Sequence, residues 1–176
     1  MFSFMNPGKS KPAKKGLKII IVGCGKVGTT LVEQLSKEGH DIIIIDKNAK
    51  KVQEIANIYD IMGIVGNGAS YSVQMDAGIE DTDLIISVTE SDELNLLCCT
   101  VAKQVGDCAA IARVRTPDYS GEASYLRDKL GLAMIINPEL AAAQEISRLL
   151  RFPSAIKIDT FARGKVELLK FKVMPE

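Results

Sequence analysis

One stretch, Lys18-Ile19-Ile20-Ile21-Val22-Gly23-Cys24-Gly25-Lys26-Val27-Gly28, limits what this chain can fold into more than any other. Four β-branched residues in a row favour a strand, and the three glycines that follow have the spacing G-x-G-x-x-G. The pattern predicts a strand, a tight turn and the start of a helix. Gly23 is suited to the backbone angles of the turn, Gly25 leaves room for a pyrophosphate to approach the backbone, and Gly28 lets the helix pack closely on the strand. The unpaired N–H groups and positive dipole end of that helix would face the phosphates, with Lys26 adding a formal charge.

A glycine triplet alone also describes an ordinary strand-to-helix turn. Here the next apolar run, Ile42 to Ile45, ends in Asp46, 18 residues after Gly28. A ribose-binding carboxylate is expected about 20 residues on. The plainer reading, a tight turn plus a solvated Asp at a strand end, stands beside it. Strand-like runs begin near Leu17, Asp41, Ile61, Asp83, Ala109 and Ala133, at intervals of 20 to 26 residues, which is the period of a repeated βα unit. Helical patterns lie between them: Val27, Leu31 and Leu35; Val52, Ile55, Ala56 and Tyr59; Leu94, Leu97, Cys98, Val101 and Val105. Runs that are apolar throughout imply strands covered on both faces and therefore parallel. The predicted fold is an α/β, Rossmann-like, doubly wound parallel sheet of about six strands, with ligands outside the strands' carboxyl ends.

Composition removes other classes. Residues 1–16 carry four lysines and no acid, so the remainder holds 18 basic against 22 acidic residues, a poor match for nucleic acid. This tail, with Pro7 and Pro12, is expected to be disordered and basic, and it lacks the apolar core of a signal peptide. No apolar run approaches the ~18 residues that span a bilayer, so the chain is not expected to be transmembrane. Cys24, Cys98, Cys99 and Cys108 have no paired metal-ligand spacing and are expected as reduced thiols of a cytosolic protein.

The expected sheet geometry selects the loops that can meet a ligand. They are Gly23 to Gly28, Asp46-Lys47-Asn48, Gly66-Asn67-Gly68-Ala69, Val88-Thr89-Glu90-Ser91, Arg113 to Pro117, and Asn137-Pro138-Glu139. Gly66 and Gly68 would let backbone approach an adenine, and Thr89 offers a hydroxyl beside the phosphate crevice. Turn and cap chemistry explains the same residues, since Ser91 with Asp92 and Glu93 makes a good helix N-terminus whatever binds there. Arg113 and Arg115 alternate with Ala112 and Val114, so both should share a face, where they need acidic side chains or phosphates. After Pro153, the runs Ala155 to Phe161 and Val166 to Val173 alternate around Arg163-Gly164, a β-hairpin-like extension.

Catalytic groups are hard to place. His40 precedes the strand that ends in Asp46, which puts it about 20 Å from the glycine turn's side of the sheet. Tyr125 and Lys129 match the Tyr-x-x-x-Lys pair of short-chain dehydrogenases, but no serine lies in Ala109 to Val114 to complete that site. The same spacing places them one turn apart on an ordinary helix. Cys24 has a helix N-terminus beside it but no base or second cysteine near it in sequence, so it reads as a small residue tolerated in the loop. The chain is therefore not expected to be an enzyme, with a small NAD-dependent oxidoreductase or redox-sensing dehydrogenase relative as the alternative.

The combination of Gly23-Cys24-Gly25-Lys26-Val27-Gly28, Ile45-Asp46-Lys47, Gly66-Asn67-Gly68, Thr89-Glu90-Ser91-Asp92-Glu93-Leu94-Asn95, Ala112-Arg113-Val114-Arg115 and Asn137-Pro138-Glu139 resembles the regulatory nucleotide-binding domain of Trk-type potassium transport proteins. This is the RCK or KTN domain, with a TrkA-N domain as its N-terminal part. The resemblance spans about Leu17 to Arg151 and implies that 152–176 is a linker and the first strands of a truncated C-terminal subdomain. It implies a cytoplasmic regulatory subunit, peripheral to the inner face of the membrane, that binds NAD(H) or else ATP, ADP or AMP. Such a subunit would gate a membrane potassium transporter or channel and pair into a homodimer or larger ring. By the same resemblance Gly23, Gly25, Lys26, Val27 and Gly28 hold phosphates, Asp46 takes the ribose, and Gly68, Ala69 and Thr89 line the pocket. Lys26, where ATP-binding relatives often carry arginine, bears on the choice between dinucleotide and triphosphate. Cys24, Lys47, Gly66, Asn67, Glu90, Arg113 and Arg115 complete the candidate cofactor contacts. Glu139 is a candidate ligand for a divalent ion at a dimer seam.

Overall fold

The computed structural model describes residues 16–116, 119, 122–153, 155–161 and 166–172. The expected basic tail, apart from Gly16, lies outside the described residues, as do Pro117 and the Arg163-Gly164 turn. The chain divides into two compact units, residues 1–137 and 138–176.

The first unit is built on six strands: β1 (Lys18–Val22), β2 (Asp41–Asp46), β3 (Met62–Val65), β4 (Leu84–Ser87), β5 (Ala109–Arg113) and β6 (Met134–Ile136). Their spatial order is β3-β2-β1-β4-β5-β6 and every pairing is parallel. The order reverses between β1 and β4, the switch point outside whose carboxyl ends sheets of this kind bind ligands. The apolar runs of β1, β2 and β4 are continuous because these strands are covered on both faces, whereas the edge strand β3 leaves Met62 and Val65 exposed. Ile19, Ile21, Ile42, Ile44, Ile86 and Val88 form one core layer, into which Val32, Val52 and Ile55 project from α1 (Lys26–Lys37) and α2 (Ala49–Tyr59). Ile20, Val22, Ile45, Ile85, Ala110 and Ala112 form the other, packed against Cys98, Cys99 and Ala102 of α4 (Asp92–Val105).

Helix α4 sits differently from its sequence pattern. The expected stripe ran through Leu94, Leu97, Cys98, Val101 and Val105, yet Leu97 is exposed and the buried positions are Asp92, Asn95, Cys98, Cys99 and Ala102. Two polar side chains at the N-terminal end of the helix turn inward to meet backbone groups, and the apolar stripe follows them. The crossover from β3 to β4 also holds a short helix, α3 (Tyr71–Asp76), and a 3-10 turn (Ile79–Asp81), neither of which the strand period revealed. Between β5 and β6 lies α5 (Ala123–Lys129).

The second unit comprises α6 (Pro138–Arg151) and the antiparallel pair β7 (Ala155–Phe161) and β8 (Val166–Phe171), as the alternating pattern predicts. Arg151 of α6 lies 3.6 Å from Glu167 of β8. Among the described residues no helix is long and apolar enough to cross a membrane.

The closest backbone approach in the first unit is at Gly28, where a Cβ would lie 1.8 Å from the Gly23 carbonyl oxygen. Relief would require α1 to move off β1, so Gly28→Ala is expected to destabilise the fold by about 2 kcal/mol or more. Equilibrium urea unfolding of the variant against the parent chain checks this.

Candidate functional site

Three loops meet at the carboxyl ends of β1, β2 and β4. Gly23 leaves β1 with φ +112°, a value that disfavours any side chain, and its N–H donates to the Ile45 carbonyl at 2.8 Å. A Cβ on Gly23 would stand 3.1 Å from Thr89 N and from the Val88 carbonyl group, so the glycine turn lies directly against the β4 loop. Gly25, in contrast, has nothing within 4 Å of where a Cβ would be. It caps α1 with no side-chain hydrogen bond, and no acidic residue stands in the first turn. The N-termini of α2 and α4 are both capped, by Asn48 accepting from Lys51 N and by Ser91 accepting from Leu94 N, each at 3.1 Å. The first turn of α1 therefore offers backbone donors and a positive dipole end toward open space, beside exposed Lys26.

Asp46 is more than a solvated strand end. Its two carboxylate oxygens accept from Cys24 N at 2.6 Å and from Asn48 N at 2.8 Å, so it fixes the glycine turn and the start of α2 together. Each oxygen keeps acceptor capacity for a further donor, and the residue remains half-buried at the rim. Lys47 beside it is exposed.

The β3 loop has a packing reason for its glycines. A Cβ on Gly68 would fall 2.3 Å from Val22 Cγ1, and one on Gly66 2.8 Å from Val73 Cγ2. Both positions are packed against side chains of their own unit. The loop is braced by Gln74, fully buried on α3, whose Nε2 donates to the Gly68 and Cys98 carbonyls at 2.7 and 2.9 Å. Asn67 Oδ1 turns back to accept from Ala69 N at 3.3 Å.

Beyond β4, Thr89 is half-buried and Glu90 exposed. Thr89 is organised by Asn95, a fully buried residue of α4 that also donates from Nδ2 to the Arg113 carbonyl at 2.9 Å. Next to it, Asp92 accepts from Arg115 N and Thr116 N at 2.8 Å and from the Thr116 hydroxyl at 2.7 Å. Burial pushes the Asp92 carboxyl up, but these hydrogen bonds and the Arg115 charge outweigh it and hold it below the usual range. Arg115 lies past the end of β5, where strand alternation no longer directs it. Its Nε is 3.6 Å from Asp92 and its guanidinium donates to the Glu90 carbonyl. Arg113, at the end of β5, is half-buried. Neither Asn95, Asp92 nor Gln74 was expected in the site. Their signal is a polar residue at i, i+3 and i+4 spacing from buried positions: Asn95 shares its face with Cys98, Cys99 and Ala102.

The remaining candidates fall elsewhere. His40 lies at the opposite ends of the strands, its Nδ1 accepting from Leu17 N at 3.0 Å. Lys129 sits 5.9 Å from the centroid of the exposed Tyr125 ring on α5. Glu139 occupies the first turn of α6, and among the described residues no group of three or more His, Cys, Asp or Glu is placed to hold a metal.

The fold and the glycine turn define a doubly wound Rossmann-type domain with an open, uncapped helix start at its switch point. The TrkA-N domain model matches residues 19–138, and the chain belongs to that family. The Trk system potassium uptake protein TrkA homolog of Archaeoglobus fulgidus is 39% identical over 158 residues, covering 90% of this chain and 36% of the relative. The chain thus spans about a third of the length of such relatives. Among solved structures, the GsuK channel bound to NAD aligns with TM-score 0.59 at 18% identity over 86% of this chain and 25% of that one. The Kef CTD of Shewanella denitrificans in its AMP-bound form aligns with TM-score 0.63 at 19% identity, over 79% and 83% of the two chains. At these identities the structures share the fold.

All four cysteines are buried and free. Burial first, then the Asp46 charge, pushes the Cys24 thiol up from its ordinary 9.0 to about 12, and burial raises Cys98 to about 11. The thiol at the turn is therefore protonated and unreactive near neutrality. Because the unfolded chain ionises near 9, these thiols stabilise the fold fully below that pH and lose their contribution as pH rises toward 11 and 12. Stability measured by denaturant between pH 8 and 11 is expected to fall, and to fall less steeply in Cys24→Ala.

Proposed function

We propose that this chain is the nucleotide-sensing part of a regulatory subunit of a potassium uptake system, and that its ligand is NAD(H) or an adenine nucleotide. The observation that carries the reading is the uncapped first turn of α1, with open space at Gly25 and Lys26 alongside. Among the described helices of the first unit, α2 and α4, the two others longer than seven residues, each start with a side-chain cap, whereas the short α3 and α5 do not. A helix start left in this state suits an anion, and the Gly23 to Gly28 backbone would hold a phosphate there. Asp46, already fixed at the rim, would accept from ribose hydroxyls with the capacity its two backbone bonds leave free. Thr89 and the Gly68-Ala69 loop would flank the crevice on either side.

Two neighbours of this fold are named with NAD and with AMP, which share an adenosine phosphate, and the TrkA relative supports the link to potassium uptake. The Cys24 thiol in the glycine turn is buried and held protonated, and in this reading the ligand's binding energy would serve regulation. A ligand regulates only if it favours one arrangement of the assembly over another. That arrangement would be a cytoplasmic homodimer or ring beside a membrane transporter or channel.

Calorimetric titration with NAD, NADH, ATP, ADP and AMP tests the reading, which fails if none binds below millimolar. Asp46→Ala is expected to weaken binding by about 1–3 kcal/mol through lost charge-assisted bonds. Gly25→Ala is expected to lose binding while unfolding within about 1 kcal/mol of the parent, since its methyl group meets no protein atom. Unchanged affinity in both variants would remove the glycine turn from the site.

A further inference from the structure

Asn95 Oδ1 is oversubscribed. It accepts from Ser87 Oγ at 3.1 Å, Thr89 N at 2.8 Å and Thr89 Oγ1 at 2.7 Å, three donors for the two lone pairs of an amide oxygen. The Thr89 hydroxyl has one proton and a second acceptor in reach, the Ser91 carbonyl at 3.2 Å. That carbonyl already accepts from Asn95 N at 3.0 Å. If the hydroxyl turned away, neither acceptor would be left empty: Asn95 Oδ1 would keep Thr89 N and Ser87, and Ser91 would keep its helix bond. Removing this donor costs no buried orphan, which is the usual penalty for rearranging such a cluster. Thr89 is also the residue of the cluster that adjoins the glycine turn, its nitrogen 3.1 Å from the position of a Gly23 Cβ.

We propose that the Thr89 hydroxyl is a transferable donor, held on Asn95 in this structure and passed to an anion that enters beside the glycine turn, and that Asn95 is the positioning residue that registers the transfer. This rests on the anion-binding reading of the crevice. When the hydroxyl leaves, the Asn95 amide re-centres on two donors, and its Nδ2, which donates to Thr89 O at 3.2 Å and Arg113 O at 2.9 Å, moves with it. The Arg113 carbonyl belongs to the peptide whose nitrogen is Val114, and Val114 N–H donates to Ile136 of β6 at 2.9 Å. Occupancy at the β1–β4 crevice is thereby felt at the ends of β5 and β6, although Asn95 is fully buried and touches no ligand.

The test is NMR on the whole chain, following the Asn95 side-chain amide and the Val114 backbone amide during titration with NAD, ADP or inorganic pyrophosphate. Both signals are expected to shift in the parent and in Thr89→Ser, and to stay fixed in Thr89→Val. Thr89→Val should bind about 10-fold more weakly, as for loss of one hydrogen bond to a charged group, with Thr89→Ser within about 3-fold of the parent. The thermal midpoint of Thr89→Val should stay within a few degrees, because Asn95 keeps two donors. Binding with unmoved Asn95 and Val114 signals in the parent would overturn the proposal alone. No binding of any of the three probes would overturn it together with the anion-binding reading.

Discussion

The first unit hangs on the way the backbone of the glycine turn is held from three directions. Gly23 N bonds to the end of β2, Cys24 N bonds to the Asp46 carboxylate, and Gly28 closes onto the Gly23 carbonyl at a distance no side chain permits. Each contact uses main chain or a charge-assisted bond to main chain, so the turn's shape does not depend on the rotamers of flexible side chains. The two core layers make this possible. With Ile19 and Ile21 buried on one side of β1 and Ile20 and Val22 on the other, the strand leading into the turn is anchored in both layers.

Polar residues that face inward divide the labour around this turn. Asp46 ties β1 to β2, Gln74 ties α3 to the β3 loop and α4, Asn95 ties β4 to β5, and Asp92 ties α4 to the chain leaving β5. Apart from the Cys98 carbonyl inside α4, the backbone groups they meet lie at the strand ends or in the loops beyond them, where no neighbouring strand pairs them. Loops at a switch point lack a sheet partner on one side, so side chains supply what a neighbouring strand would have supplied. Asp92 and Asn95 also explain the rotation of α4 that leaves Leu97 exposed.

The sheet was legible because burial on both faces writes itself as unbroken runs such as Ile42 to Ile45, and because six such runs recur at a near-constant interval. The glycine turn was legible because its residues answer to backbone constraints that few other residues satisfy. The polar braces were not. Asn95 is separated from Arg113 by 18 residues and Asp92 from Thr116 by 24, and the helical spacing that puts Asn95 on the buried face does not name these partners. At Gly66 and Gly68 the need for glycine was visible, but the contacts with Val73 and Val22 that require it depend on packing across the chain. Arg115 likewise needed an anion, and strand alternation could not name Asp92 because the residue lies beyond the strand's end.

The bare start of α1 carries a thermodynamic consequence. A glycine N-cap leaves the first N–H groups of α1 without a side-chain partner, so α1 is held in place by the sheet beneath it more than by its own terminus. An anion that settles there completes the helix as well as occupying a pocket. On the proposed reading, ligand concentration would then set how firmly the first turn of α1 is formed, and how often that turn opens would become a quantity the surrounding solution controls.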